Sequence, residues 1–99
     1  MRLSSEYQTL IVECAKEIFG PAIRISLFGS RTDDKALGGD IDLLIQSDTA
    51  IDQSEQKSLQ LAARLQIRLG DQAIDVLVID PLSHLTAFHQ EVLETSQLL

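Results

Sequence analysis

Leu27-Phe28-Gly29-Ser30-Arg31 and Gly39-Asp40-Ile41-Asp42-Leu43-Leu44-Ile45 are two short blocks that leave nine residues between Ser30 and Asp40. Upstream of the first turn, Ile23, Ile25 and Leu27 alternate with Arg24 and Ser26, the two-residue period of a strand that ends at Phe28 and runs straight into Gly29-Ser30. The second block predicts a strand from Asp40 to about Gln46. On it Asp40 and Asp42 leave one face, while Ile41, Leu43 and Ile45 leave the other. Residues 31–39, polar and closed by Gly38-Gly39, read as the loop between the two strands.

Working outward, Leu10, Ile11, Cys14, Ala15 and Ile18 recur at helical spacing from about Ser4 to Phe19. This is an amphipathic helix, opened by Ser4 or Ser5 and stopped by Gly20-Pro21. Asp52, with Glu55 three residues on, fits a capping box. The apolar series Leu59, Ala62, Ala63, Leu65, Ile67, Leu69 then predicts a helix that ends at Gly70. A third strand is expected from Ala73 to Ile79, with Asp75 as its only charge. Asp80-Pro81 reads as an N-cap before a first-turn proline, and Leu82, Leu85, Phe88, Val92 and Leu93 as the stripe of a last helix. Helices and strands alternate without a repeat or linker, which predicts one α/β domain over residues 1–99, with three strands and three helices.

Composition narrows the partners. Fifteen acidic against eight basic side chains give a net charge of −7, the wrong sign for stable binding to a nucleic-acid backbone, and an aromatic share of 4% offers little surface for base stacking along a strand. No Lys or Arg follows Arg68, whereas Asp71, Asp75, Asp80, Glu91 and Glu94 do. An acidic C-terminal third suits either a solvated surface or a basic partner protein. Cys14 is the only cysteine and lies in the apolar stripe of the first helix, so a buried thiol is expected and no internal disulfide can form. With no apolar run of membrane-spanning length and no secretory h-region at the start, a cytoplasmic protein without membrane contact is expected.

Asp40 and Asp42 place two carboxylates in one small space. Aspartate is disfavoured in strands and like charges repel, so the pairing is costly unless a cation lies between them. Mg²⁺ suits such oxygens, since it takes one or two carboxylates together with phosphate oxygens. The plain alternative is that both aspartates face water on an open side of the sheet. An EF-hand loop would need further oxygen ligands and a glycine where Leu44 and Ile45 stand. Haloacid-dehalogenase and glycosyltransferase Asp-x-Asp sites follow an apolar strand, whereas here Gly38-Gly39 precedes the pair.

Gly29-Ser30 is either a simple turn or an anion site. Glycine permits close approach of a phosphate, and Ser30 can offer its hydroxyl with the N–H groups of a following turn. Arg31 can add a charge-assisted bond to the same phosphates or form a surface ion pair. Asp75, among Ile74, Val76, Leu77 and Val78, needs a partner if it is buried. It is either the third carboxylate of the cluster or a solvent-facing residue at a sheet edge.

Together, Gly29-Ser30, the nine-residue gap, Asp40-Ile41-Asp42 at the start of an apolar strand and a lone Asp75 in the next strand resemble the minimal nucleotidyltransferases of the DNA polymerase beta superfamily. Within it they resemble the MNT antitoxins that pair with HEPN toxins, and the element order matches over nearly the whole chain. The resemblance implies a nucleotidyltransferase fold with a mixed three-stranded sheet, order 1-2-3, packed with helices. It further implies two Mg²⁺ ions held by Asp40, Asp42 and Asp75, and ATP as nucleotide donor at Gly29, Ser30 and Arg31. The implied reaction is attack of a hydroxyl on the α-phosphate with loss of pyrophosphate, which two metal ions assist. Asp75 would also help deprotonate that hydroxyl. AMP would pass to a tyrosine of a partner HEPN ribonuclease, in a hetero-oligomer with that toxin.

Two positions depart from the family pattern. Asp33 and Asp34 occupy a loop that is basic or glycine-rich in many relatives, and Gly39 stands where serine or threonine is common. His84 and His89, five apart on the expected helix, lie about 140° apart around its axis and read as ordinary helix residues. Tyr7, the only tyrosine, is a surface or packing residue or an acceptor for self-modification. The rival to enzymatic transfer is an antitoxin that silences the toxin by binding alone. A small-molecule nucleotidyltransferase is disfavoured because a chain of 99 residues has no room for an acceptor-binding lobe.

Overall fold

The computed structural model describes residues 4–29, 41–70 and 72–99. Along the chain these form α1 (Ser5–Phe19), β1 (Arg24–Phe28), β2 (Ile41–Gln46), α2 (Ser54–Leu69), β3 (Ile74–Ile79), α3 (Ala87–Thr95) and β4 (Gln97–Leu98). β1 pairs antiparallel with β2, and β2 parallel with β3, the connection between the parallel strands running through α2. The parallel pair and its helical crossover make a βαβ unit.

The expected three-strand sheet is corrected to a four-strand mixed sheet of order β3-β2-β1-β4 among the described residues. The three expected strands keep their mutual order, and the C-terminal pair Gln97–Leu98 is added along the free edge of β1. There Ser26 pairs with Leu98 and Leu27 with Gln97, and the Leu99 amide donates to the Ile25 carbonyl at 2.9 Å. Two residues are too few to show a period, and they follow a helical stripe directly, so β4 exists because an unpaired edge lies beside it.

β2 explains the layering. Ile41, Leu43 and Ile45 pack with Ile25, Leu27 and Ile74 against Ile11, Cys14, Ala15 and Phe19 of α1 and Leu61, Leu65 and Leu69 of α2. Leu44 points to the opposite face and packs with Ile79 and with Val92 of α3, with Phe28, Leu77 and Leu93 around them. Helices therefore cover both faces of the sheet. The thiol of Cys14 is buried, as expected.

α1 begins where its sequence indicates, with the Ser4 hydroxyl accepting the Tyr7 amide at 3.2 Å, and ends with the Gly20 amide on the Lys16 carbonyl. The other two helix starts differ from expectation. α2 has Gln53, not Asp52, as its N-cap, in a left-handed conformation (φ 54°, ψ 44°) with no side-chain cap bond. Such a backbone costs a non-glycine residue ~1 kcal/mol. The tertiary reason lies at Asp80, whose carboxylate accepts the Ile51 amide at 2.8 Å and so ties the approach to α2 onto the end of β3.

Asp80 does not cap the last helix, which begins only after Thr86. Its second carboxylate oxygen accepts the Leu82 amide at 3.0 Å and closes a short turn with Ser83. α3 starts only at Thr86, whose hydroxyl accepts the His89 amide while the Thr86 amide donates to His89 Nδ1 at 3.2 Å. Leu82, Leu85 and His84 are thus outside the helix, and Leu82 is 80% exposed. On α2 the buried positions are Leu61, Leu65 and Leu69, while Leu59 and Ile67 face solvent.

Two stability outcomes follow from this packing. Leu43→Ala, in the fully buried middle strand, is expected to lower the unfolding free energy by about 2–5 kcal/mol, read from urea denaturation. A loss below 1 kcal/mol would mean that the two helical layers close on the cavity. The Asp80 carboxyl is held below its ordinary range, chiefly by the Ile51 amide. Desolvation opposes this, and the Leu82 amide and the Ser83 hydroxyl and amide reinforce it. A depressed carboxyl contributes stability that is present above its unfolded pKa of about 3.9 and is lost as pH falls through the folded value. The gap in urea midpoint between wild type and Asp80→Asn should therefore narrow as pH is taken down through about 4; a constant gap would refute this role.

Candidate functional site

The direction of three strands builds the site. β1 ends at Phe28, and because β2 is antiparallel to it and β3 parallel to β2, the beginnings of β2 and β3 meet the end of β1 at one end of the sheet. Phe28 pairs with Asp42, and Asp42 in turn pairs with Asp75. Residues paired in register project from the same face. Asp42 and Asp75 therefore stand side by side on the face that also carries Leu44, Leu77 and α3, opposite the face covered by α1 and α2.

Asp42 is half-buried and Asp75 is exposed. β3 is the edge strand, so Asp75 sits at the open side of the sheet, and the expense of burying an unpaired charge does not apply to it. What brings it to the site is register. Two carboxylates at adjacent positions repel, which makes the pair a natural place for a cation or for a ligand that carries one.

Gly29 closes the third side. Its φ is +74°, a conformation that side chains rarely adopt, and a Cβ at this position would run into the Asp42 carboxylate, meeting its Cγ at 3.2 Å. The residue is exposed, so backbone and carboxylate are in close approach at a surface that a ligand can reach. Glycine is needed here twice over, once for the backbone angle and once for the space.

Of the residues singled out from sequence, the structure brings together Gly29, Asp42 and Asp75. Asp40, Ser30 and Arg31 lie outside the described residues, as do Asp33, Asp34 and Gly39. Among the described residues no three His, Cys, Asp or Glu side chains form a metal-holding group. The two carboxylates that do meet fit Mg²⁺, which takes one or two protein carboxylates and completes its shell with water and phosphate oxygens.

The structure adds an aromatic contact that sequence reading does not reveal. The rings of Phe28 and Phe88 lie 6.3 Å apart at 74°, and Phe88 also meets the His89 ring edge-to-face at 5.9 Å. Phe88 reads from sequence as one member of a helical stripe, and His89 as an ordinary helix residue. Neither position carries a signal that would set it against the end of β1. Tyr7 is 39% exposed on α1, and no helix among the described residues is long and apolar enough to cross a membrane.

No protein-family model matches the chain, and no curated protein matches it at a significant level. Solved structures do. A mutant of the toxin–antitoxin pair MntA-HpeT matches at 25% identity with a TM-score of 0.64, over 93% of this chain and 69% of the other. A tri-AMPylated Shewanella oneidensis HEPN toxin in complex with MNT antitoxin matches at 23% identity with a TM-score of 0.66, over 97% of this chain and 71% of the other.

Gly29→Ala is expected to cost about 1–2 kcal/mol from the backbone angle alone, and more from the collision with Asp42. Urea denaturation of Gly29→Ala, Asp42→Ala and the double variant separates the two parts. The double variant should recover the collision part, and strictly additive effects would show that the close approach has no energetic consequence. The chain thus shares the fold of MNT antitoxins, the family that its two sequence blocks resemble.

Proposed function

We propose that the chain is an antitoxin that transfers AMP from ATP to a hydroxyl, most simply a tyrosine hydroxyl, of a HEPN-type ribonuclease toxin. The single observation that carries this reading is the in-register pairing of Asp42 with Asp75 next to the close-approach glycine, Gly29. Support comes from the fold shared with MNT antitoxins, one of them in complex with an AMPylated toxin.

In this reading Gly29, with Ser30 and Arg31, receives the triphosphate. Asp40, Asp42 and Asp75 hold Mg²⁺, which when bound supplies charge neutralisation at the entering and leaving oxygens. The acceptor oxygen forms a bond to the α-phosphorus as the bond from that phosphorus to the bridging oxygen breaks. Pyrophosphate leaves and AMP remains on the acceptor as a phosphodiester. Asp75, the exposed carboxylate, takes the hydroxyl proton and passes it to solvent.

The partner supplies what this chain lacks. The toxin positions the hydroxyl and helps exclude water, and the acidic C-terminal third of this chain, free of Lys and Arg beyond Arg68, is attracted to the basic surface that an RNA-cleaving protein presents. Each AMP adds bulk and a negative charge, which near such a surface opposes RNA binding. The alternative, silencing by occlusion alone, requires no carboxylate cluster.

The test is the intact mass of the toxin after incubation with ATP, Mg²⁺ and either wild type or the Asp40→Ala, Asp42→Ala double variant. Wild type is expected to add adenylyl mass and the variant none, with toxin activity falling only in the first case. Equal silencing by both proteins with no added mass replaces transfer with occlusion.

A further inference from the structure

We propose that the exposed ring of Phe88, held against Phe28, is the platform on which the nucleobase of a nucleoside triphosphate stacks, an inference that rests on the nucleotide-transfer reading above. The chain has three phenylalanines, one tyrosine and no tryptophan. Phe19, the last residue of α1, lies in the core, and Tyr7 sits on the same helix, which covers the opposite face of the sheet. Phe28 and Phe88, far apart in sequence, are brought together on the face that carries Asp42 and Asp75.

Position connects these rings to the phosphate site. Phe28 is the register partner of Asp42, so their Cβ atoms are roughly 5 Å apart. Phe88 lies 6.3 Å from Phe28 between centroids. A triphosphate at Gly29 and Asp42 would thus have the pair within reach of a base carried one ribose away from its α-phosphate.

The ring is also preorganised. Phe28 and His89 both stand nearly perpendicular to it, at 74° and 75°, and the His89 ring is itself pinned by the Thr86 amide and hydroxyl at 3.2 and 2.8 Å. Phe88 nonetheless remains 55% exposed. An apolar ring offers no bond to phosphate or metal, but it offers a π-face to a base, and stacking of that kind is tolerant of base identity.

The test uses the full chain and two probes, Mg-ATP and Mg-tripolyphosphate, in calorimetric titrations of wild type, Phe88→Leu and Phe88→Trp. Leucine keeps apolar bulk against Phe28 and removes the π-face, so ATP affinity should fall about tenfold while tripolyphosphate affinity is unchanged. Tryptophan should restore ATP binding and, in a chain with no other tryptophan, report it by a change in fluorescence. The proposal is overturned if Phe88→Leu binds ATP like wild type, if it loses both probes equally, or if it weakens only association with the toxin. In the first and last of these cases nucleotide transfer still stands. Wild type that binds neither probe removes the transfer reading and this one together.

Discussion

β2 is buried on both faces, and the rest of the structure depends on that. Ile41, Leu43, Leu44 and Ile45 are wholly inaccessible, each adding ~2 kcal/mol of apolar burial, and they divide between a layer under α1 and α2 and a layer under α3. A strand committed on both sides cannot slide against its neighbours, because a shift of one residue would exchange the faces of every side chain. The registers of β1 and β3 against it are consequently fixed by packing. The register adjacency of Asp42 and Asp75 is thus a product of the hydrophobic core.

The site sits where that commitment ends. At the start of β2 the apolar run gives way to Asp42, and the antiparallel neighbour turns away through Gly29, whose missing side chain is what allows the carboxylate its place.

The two sheet edges are treated differently. β1 is covered by the short β4, whereas β3 leaves Asp75 open to solvent at the edge. After β3 one carboxylate, Asp80, binds the approach to α2 and its own turn at once, and α3 begins only after Thr86. That start places Phe88 in the first turn of α3 and against the last residue of β1, on the carboxylate face.

The amino-acid sequence alone determined the alternation of helices and strands, the apolar face of β2 formed by Ile41, Leu43 and Ile45, the strand that carries Asp75 and the turn at Gly29. These depend on local periodicity and on backbone preferences that each residue carries with it. The position of Asp42 on a strand face followed from period two without any knowledge of the neighbouring strand. Only the tertiary structure decided that Asp75 stands beside Asp42, since register is set by a core assembled from residues distant in sequence. It likewise decided that Gln97–Leu98 pairs with β1, because an edge exists only once the sheet does. Local signals were also not all followed: Gln53 rather than Asp52 precedes α2, beside an Ile51 amide held by Asp80, and the Asp80-Pro81 pattern closes a short turn rather than a helix. The capping bond at Thr86 was hidden because histidine, not glutamate or glutamine, answers it. The meeting of Phe28 and Phe88 could not be read from either position, because a contact across so much of the chain is a property of how the helical layer lies on the sheet.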